Sequence, residues 1–300
     1  MARQTLAVMN DVRQRSASSC VAIWVRLPSW TMIATAWSLA GWCLAASADE
    51  PPLPPRPLRI ACFNAENLAA PGERTTLTRF RFEPARRRHL EHVAAVIETL
   101  VPDMLVLSEV VSREGVEAVV ELLHAKGLTD YRGYHVDGRD RFSGFDVAIL
   151  ARVEPDEIDG RHIHIFVPAG NKRAAAKEEA GKDEARKDDA RKDESWMRRA
   201  YSHADDRGGT RNEEAVLQRH AVAYFTVHGR KIGLLGLHLK SNPTDVGSNA
   251  QRMAETAIAR ELVRREIVAR GYTPIVLGDI NDYDPDVPMA DANQIGRAHV

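Results

Sequence analysis

Six residues carry the chemistry this sequence offers: Asn64, Glu66, Glu109, His238, Asp279 and Asn281. Carboxylates, side-chain amides and an imidazole, with an Asp-x-Asn pair among them, make a hard, oxygen-rich donor set. Such a set suits Mg²⁺, Mn²⁺ or Ca²⁺ and the oxygens of a phosphate. Taken singly, each residue is ordinary, since a carboxylate at a strand end commonly caps or forms an ion pair and an isolated histidine commonly packs in a core. Position joins them, because each lies at or just after the C-terminal end of a short apolar run. Loops at the C-terminal ends of strands are where α/β scaffolds gather ligands.

The elements that must position them follow from the same pattern. Residues 58–63, 104–107, 146–150, 221–227, 231–237 and 274–277 are short apolar or β-rich runs bounded by Gly, Pro or Asp, which predicts buried strands. Between them, residues 86–100 place Leu90, Val93, Ala94, Ile97 and Leu100 on one helical face, and residues 114–126 and 250–269 repeat that spacing. The runs at 221–227 and 231–237 are joined by His228-Gly229-Arg230, a hairpin signal. The expectation is an α/β (α+β) domain of packed mixed sheets flanked by helices, in place of a doubly wound parallel sheet.

Five segments taken in order are more specific than any one residue. LRIACFNAEN (58–67), PDMLVLSEV (102–110), FDVAIL (145–150), GLHLKS (236–241) and GDIN (278–281) resemble the endonuclease/exonuclease/phosphatase superfamily, over residues 58 to about 285. That family includes DNases, exonuclease III-like repair nucleases, neutral sphingomyelinases and inositol polyphosphate phosphatases. The resemblance implies a four-layer α-β-β-α sandwich and metal-dependent hydrolysis of phosphodiesters by in-line attack of a water. It makes Glu109 the principal metal ligand, with Asn64 and Glu66 completing the metal and phosphate shell. Asp279 would orient or deprotonate the water, Asn281 would hold a phosphate oxygen, and His238 would hydrogen-bond the phosphate or help protonate the leaving group. A phosphodiester is anionic and repels hydroxide, so neutralising charge around an aligned water is what the reaction requires. Arg141 and Arg252 are candidate phosphate contacts.

Composition narrows the partners. With 44% hydrophobic and 28% charged residues the chain is neither wholly disordered nor a multi-span membrane protein, and a net charge of −1 supplies no global field for holding nucleic acid. Residues 1–48 combine Arg3, Arg13, Arg15 and Arg26, an apolar stretch over 30–46 and the small-residue ending Ala46-Ser47-Ala48. This reads as a secretory signal cleaved after Ala48, so the protein is expected to be secreted or periplasmic and, after cleavage, to keep no membrane span. A retained anchor, or a later start at Met9 or Met32, are the alternatives. Cleavage removes four arginines and one aspartate, leaving a net −4, and removes Cys20 and Cys43, leaving Cys62 without a disulfide partner. Any phosphate chemistry must then rest on local charge and a bound cation.

Residues 49–57 form a Pro-rich lead into one domain over 58–294. Within it, residues 172–195 hold eight basic and eight acidic residues with no apolar face, an insertion that can bury nothing. Residues 295–300 (IGRAHV) match the translation of a sequencing adapter and are expected to be non-native. Family members close with a Ser-Asp-His-like segment that does not occur here, so the chain is expected to be C-terminally incomplete, poorly soluble and weakly active. The function expected of the intact protein is an exported, monomeric nuclease acting on nucleic acid. A phosphodiesterase or phosphatase acting on phospholipid head groups or inositol phosphates is the alternative, and a noncatalytic binding protein is a third. No exposed aromatic or apolar hairpin is evident in the sequence.

Overall fold

The computed structural model describes residues 20–25, 57–74, 81–168, 194–205 and 207–282. Among these, the strands form sheets of five, three and two. In chain order the elements are β1 (Cys20–Val25), β2 (Leu58–Leu68), α1 (Glu83–Leu100), β3 (Met104–Val110), α2 (Arg113–Ala125), β4 (Arg132–His135) and β5 (Asp146–Ala151). There follow β6 (Arg199–Ala204), β7 (Thr210–Ala215), β8 (His220–Val227), β9 (Arg230–His238), α3 (Val246–Leu262) and β10 (Thr273–Asp279).

The large sheet runs β1-β2-β3-β5-β4, with β2 and β3 parallel and the other pairs antiparallel. The second runs β10-β9-β8, with β10 parallel to β9 and β8 returning as a hairpin. Alternation along the strands shows how the sheets pack. Ile60, Cys62, Met104, Val106, Val147 and Ile149 of the large sheet meet Ala221, Ala223, Phe225, Leu234 and Leu277 of the second in one buried layer. The intervening residues Ala61, Phe63, Leu105, Leu107, Ala148 and Leu150 face the other way and pack on α1 and α2. On the far side of the second sheet, Val222, Tyr224, Leu235 and Leu237 pack on Ala254, Ile258 and Leu262 of α3. Helices, sheet, sheet, helix: the chain is a four-layer α-β-β-α sandwich. Full burial of each large apolar side chain in these layers stabilises it by about 1.5–3 kcal/mol.

Local signals set the helices. Ser112 Oγ accepts the Gly115 N–H at 3.0 Å to cap α2, and an Asp245 carboxylate oxygen accepts the Ser248 N–H at 2.7 Å to cap α3. Helix α1 ends at Val101, which turns left-handed, and Pro102 follows it. The third helix begins at Val246, earlier than the spacing predicts, and its last turns, Val263–Ile267 and Val268–Arg270, loosen into π and tighten into 3₁₀ geometry. The ribbon β6–β7 packs against α3 and has no counterpart among the predicted strands.

Of the expected leader, only residues 20–25 are described; they pair antiparallel with β2, Cys20 opposite Phe63 through Val25 opposite Leu58, and so cover that sheet edge. Residues 172–193 of the charged insertion and the tail 295–300 lie outside the described residues. No helix among the described residues is long and apolar enough to cross a membrane.

Candidate active site

The alternation that builds the inter-sheet layer also builds the site. Asn64 follows Cys62 on β2, His238 follows Gly236 on β9 and Asp279 follows Leu277 on β10, so each continues the inward-facing row of its strand one step past the apolar layer. Parallel pairing brings the ends together: Asn64 is opposite Ser108, the neighbour of Glu109, and Asp279 is opposite His238. The site is the polar end of the gap between the two sheets.

Asn64 is the keystone. Its Nδ2 donates to Glu109 Oε1 and to Asp279 Oδ2, both at 2.8 Å, joining carboxylates from the two sheets. Its Oδ1 accepts the Glu66 N–H at 2.8 Å, so both amide donors and one lone pair of the oxygen are engaged. Asp279 Oδ1 in turn accepts the Asn281 N–H at 3.1 Å, and Asn281 Nδ2 donates to the Leu239 carbonyl at 3.1 Å.

Backbone strain is concentrated on these residues. Glu66 (φ 49°), Glu109 (φ 58°) and Asn281 (φ 54°) are left-handed, and irregularities in the β2–β3 and β3–β5 pairing fall beside Glu66 and Glu109. A bulge re-aims a side chain out of the pleat, and strain of this sort persists only where surrounding structure holds it. Gly278 (φ 142°) lies against Leu237, where a Cβ would meet the Leu237 carbonyl, so only glycine allows β10 to approach β9 just before Asp279.

Burial raises the Glu109 carboxyl above its usual range; the Asn64 hydrogen bond opposes this, and the charges of Asp279 and Glu66 add to it. Burial, followed by the nearby Arg219 charge, pushes His238 down to about 3, so its imidazole is neutral at neutral pH. The Nε2 of His238 lies 3.9 Å from Asp279 Oδ2, and its Nδ1 is a buried polar atom with no hydrogen-bond partner among the described residues. One donor atom each from Glu109, His238 and Asp279 fall within 4.8 Å of one another. Two carboxylates held this close, with the Glu66 charge acting on Glu109, fit a divalent cation, which relieves their repulsion.

Arg219 is a site residue that the sequence reading missed. It immediately precedes β8, and because β8 runs antiparallel to β9, its start lies at the end where β9 finishes. The guanidinium is 3.7 Å from Asp140, donates to the Leu239 carbonyl at 3.0 Å, and acts electrostatically on both Glu109 and His238. The only signal for it was an arginine placed just before an antiparallel strand. The two arginines singled out from sequence are placed differently from each other. Arg252 is buried on α3, donating to the Lys240 carbonyl and to Asn249, and holds the loop after His238 from behind. Arg141 is exposed on the loop between β4 and β5, with no hydrogen-bond or ion-pair partner among the described residues.

That loop is anchored by a second cluster. His135 Nε2 is 3.0 Å from Asp146 Oδ2, and Asp146 Oδ1 accepts the Gly138 N–H at 2.7 Å. At its tip Phe142 is an aromatic residue 88% exposed.

No protein-family profile and no curated protein sequence matches the chain. Solved structures do. TDP2 from Caenorhabditis elegans is 17% identical, with 73% of this chain and 48% of that one covered and a TM-score of 0.36; this chain thus spans about half of its length. An endonuclease/exonuclease/phosphatase family protein from Leptotrichia buccalis is 11% identical, covering 68% of this chain and 65% of that one, with a TM-score of 0.37. A β-hairpin deletion mutant of Staphylococcus aureus β toxin is 10% identical, covering 78% and 70%, with a TM-score of 0.41. The four layers derived above from this chain's own packing match the α-β-β-α sandwich that the resemblance of its five motifs implies.

Proposed function

We propose that this protein is an exported, divalent-metal-dependent phosphoesterase that cleaves phosphodiesters in nucleic acid by in-line attack of a water. One observation carries the reading: Glu109 and Asp279, delivered by opposite sheets, are held in register by the Asn64 amide with His238 and Arg219 beside them. Glu109 and Glu66, with Asn64 holding the geometry, would hold Mg²⁺ (or Mn²⁺ or Ca²⁺), and the ion would supply charge neutralisation at the phosphate. Asp279, with one oxygen fixed by Asn64 and the other by the Asn281 N–H, is oriented to align a water and take its proton. His238 donates as a neutral imidazole to a phosphate oxygen; with its affinity for protons pushed so low, it is a poor proton reservoir for the leaving group. Arg219 adds a fixed positive charge from the second sheet, and the exposed Arg141 a movable one from the rim.

The test uses the chain with bis-p-nitrophenyl phosphate, with Mg²⁺ and with chelator, alongside Glu109→Gln and Asp279→Asn. Each substitution should cost about a hundredfold or more in hydrolysis, the scale of losing one preorganised group at a developing charge. Mg²⁺ should raise the melting temperature of the wild type and not of Glu109→Gln. Hydrolysis and metal stabilisation both indifferent to the two substitutions would refute the assignment.

A further inference from the structure

The loop between β4 and β5 exposes a guanidinium and a phenyl ring on consecutive residues, Arg141 and Phe142. A single exposed apolar side chain is common on protein surfaces and alone means little. Phe142 differs because the backbone beneath it is fixed. Asp140 Oδ1 accepts the Phe142 N–H at 2.9 Å and the Ser143 N–H at 3.3 Å, its Oδ2 accepts the Ser143 hydroxyl, and its carbonyl accepts the Gly144 N–H at 3.0 Å. Ser143 Oγ accepts the Phe145 N–H at 3.3 Å, and the Arg139 N–H donates to the Gln218 carbonyl at 3.0 Å. The His135–Asp146 pair closes the base.

The same Asp140 ties the loop to the site. Its carboxylate lies 3.7 Å from Arg219, which donates to the Leu239 carbonyl, and Asn281 donates to that same carbonyl. Phe142 is therefore two residues from a carboxylate that pairs with a cation of the site.

We infer that Phe142 stacks on an unpaired base of a nucleic acid strand while Arg141 meets an adjacent phosphate, which makes single-stranded or frayed ends the substrate class; this rests on the phosphodiesterase reading above. A ring and a cation on consecutive residues match a base and its phosphate, and stacking is sequence-tolerant because every base has a π-face. A base inside a duplex has both faces covered and cannot take the ring. The alternative occupant, a lipid surface, fits less well, because the neighbours Arg139, Asp140, Arg141 and Ser143 are polar and give the ring no apolar company.

The experiment compares wild type, Phe142→Ala and Phe142→Trp. Because Phe142 is exposed, neither substitution threatens the fold. Phe142→Ala should lower kcat/KM on a single-stranded oligonucleotide about fivefold to 150-fold, the range for losing one stacked base, and Phe142→Trp should restore it. Both should leave bis-p-nitrophenyl phosphate hydrolysis unchanged. Binding of a 2-aminopurine oligonucleotide should quench its fluorescence with wild type and Phe142→Trp and not with Phe142→Ala, a readout independent of turnover. If the small ester is not hydrolysed at all, the phosphodiesterase reading fails, and the quench alone decides the stacking. Equal quench and equal oligonucleotide cleavage across the three proteins would overturn the inference. So would a Phe142→Ala defect confined to sedimentation with sphingomyelin/phosphatidylcholine vesicles.

Discussion

Replacing Asn64 with alanine tests whether the amide bridge holds the two sheets' carboxylates together. The substitution deletes two hydrogen bonds to carboxylates and one to the Glu66 N–H. Because Asn64 is only partly buried, the low end of the scale applies: about 1.5 kcal/mol for each charge-assisted bond and about 1 kcal/mol for the third. The loss is then about 4 kcal/mol, a large share of the 5–15 kcal/mol or so that a domain has in total. In urea, with a slope of about 2.5 kcal/mol per molar, the metal-free midpoint should fall by about 1.5 M. A divalent cation at a hundred times its Kd adds about 2.7 kcal/mol to each protein that binds it, so with Mg²⁺ saturating both, wild type and Asn64→Ala should gain alike and the metal-free deficit should persist. A metal-free deficit below about 1 kcal/mol would refute the reasoning, because the carboxylates would then be held by something other than Asn64.

Two further outcomes follow from the layers around the site. A Cβ on Gly236 would come within 2.7 Å of Val106 Cγ1 and 2.9 Å of Val147 Cγ1, across the gap between the sheets. Gly236→Ala should cost about 1–3 kcal/mol in thermal unfolding and reduce hydrolysis as well, since it pushes apart the strands that carry His238 and Glu109; a variant of wild-type stability would show the seam to be looser than described. His220 is buried, accepts the Phe166 N–H at 3.0 Å, and is pushed by burial down to about 4. The unfolded chain takes up its proton near pH 6.5, so this stabilisation is complete above that pH and is lost as pH falls from about 6.5 toward 4, at about 1.4 kcal/mol per unit. His220→Gln should flatten urea stability across that window, and an unchanged slope would count against it.

The strands between the sheets were readable because both faces of each are buried, so β3, β5, β8 and β9 appear as unbroken apolar runs ending in polar residues. For the same reason the six strand-end residues stand out in the sequence, and the structure brings Asn64, Glu109, His238 and Asp279 together. The ribbon β6–β7 was not readable, since RAYSHA and TRNEEA are largely exposed and carry neither an apolar run nor a clean alternation. Arg219 carries no strand-end signal, because an antiparallel strand contributes its beginning to this end of the sheet. Arg252 stands out by its charge and its place in the helix after His238, and neither reveals that its guanidinium donates to a carbonyl and an amide of its own chain and lies 3.9 Å from Asp282. Phe142 carries no pattern at all, because exposure of a single loop residue is a property of the folded surface.

The bridge from Asn64 to Asp279 spans 215 positions of sequence. During synthesis, the β2 and β3 residues Asn64, Glu66 and Glu109 emerge early, while β10 is among the last described elements to be made. A ribosome-bound chain that has not yet released β10 thus carries half a site, with Glu66 and Glu109 in place and one of the two acceptors of the Asn64 amide still missing. The carboxylates of the two sheets meet only with the final closure of the second sheet, so an unfinished chain presents the first sheet's acids without Asp279.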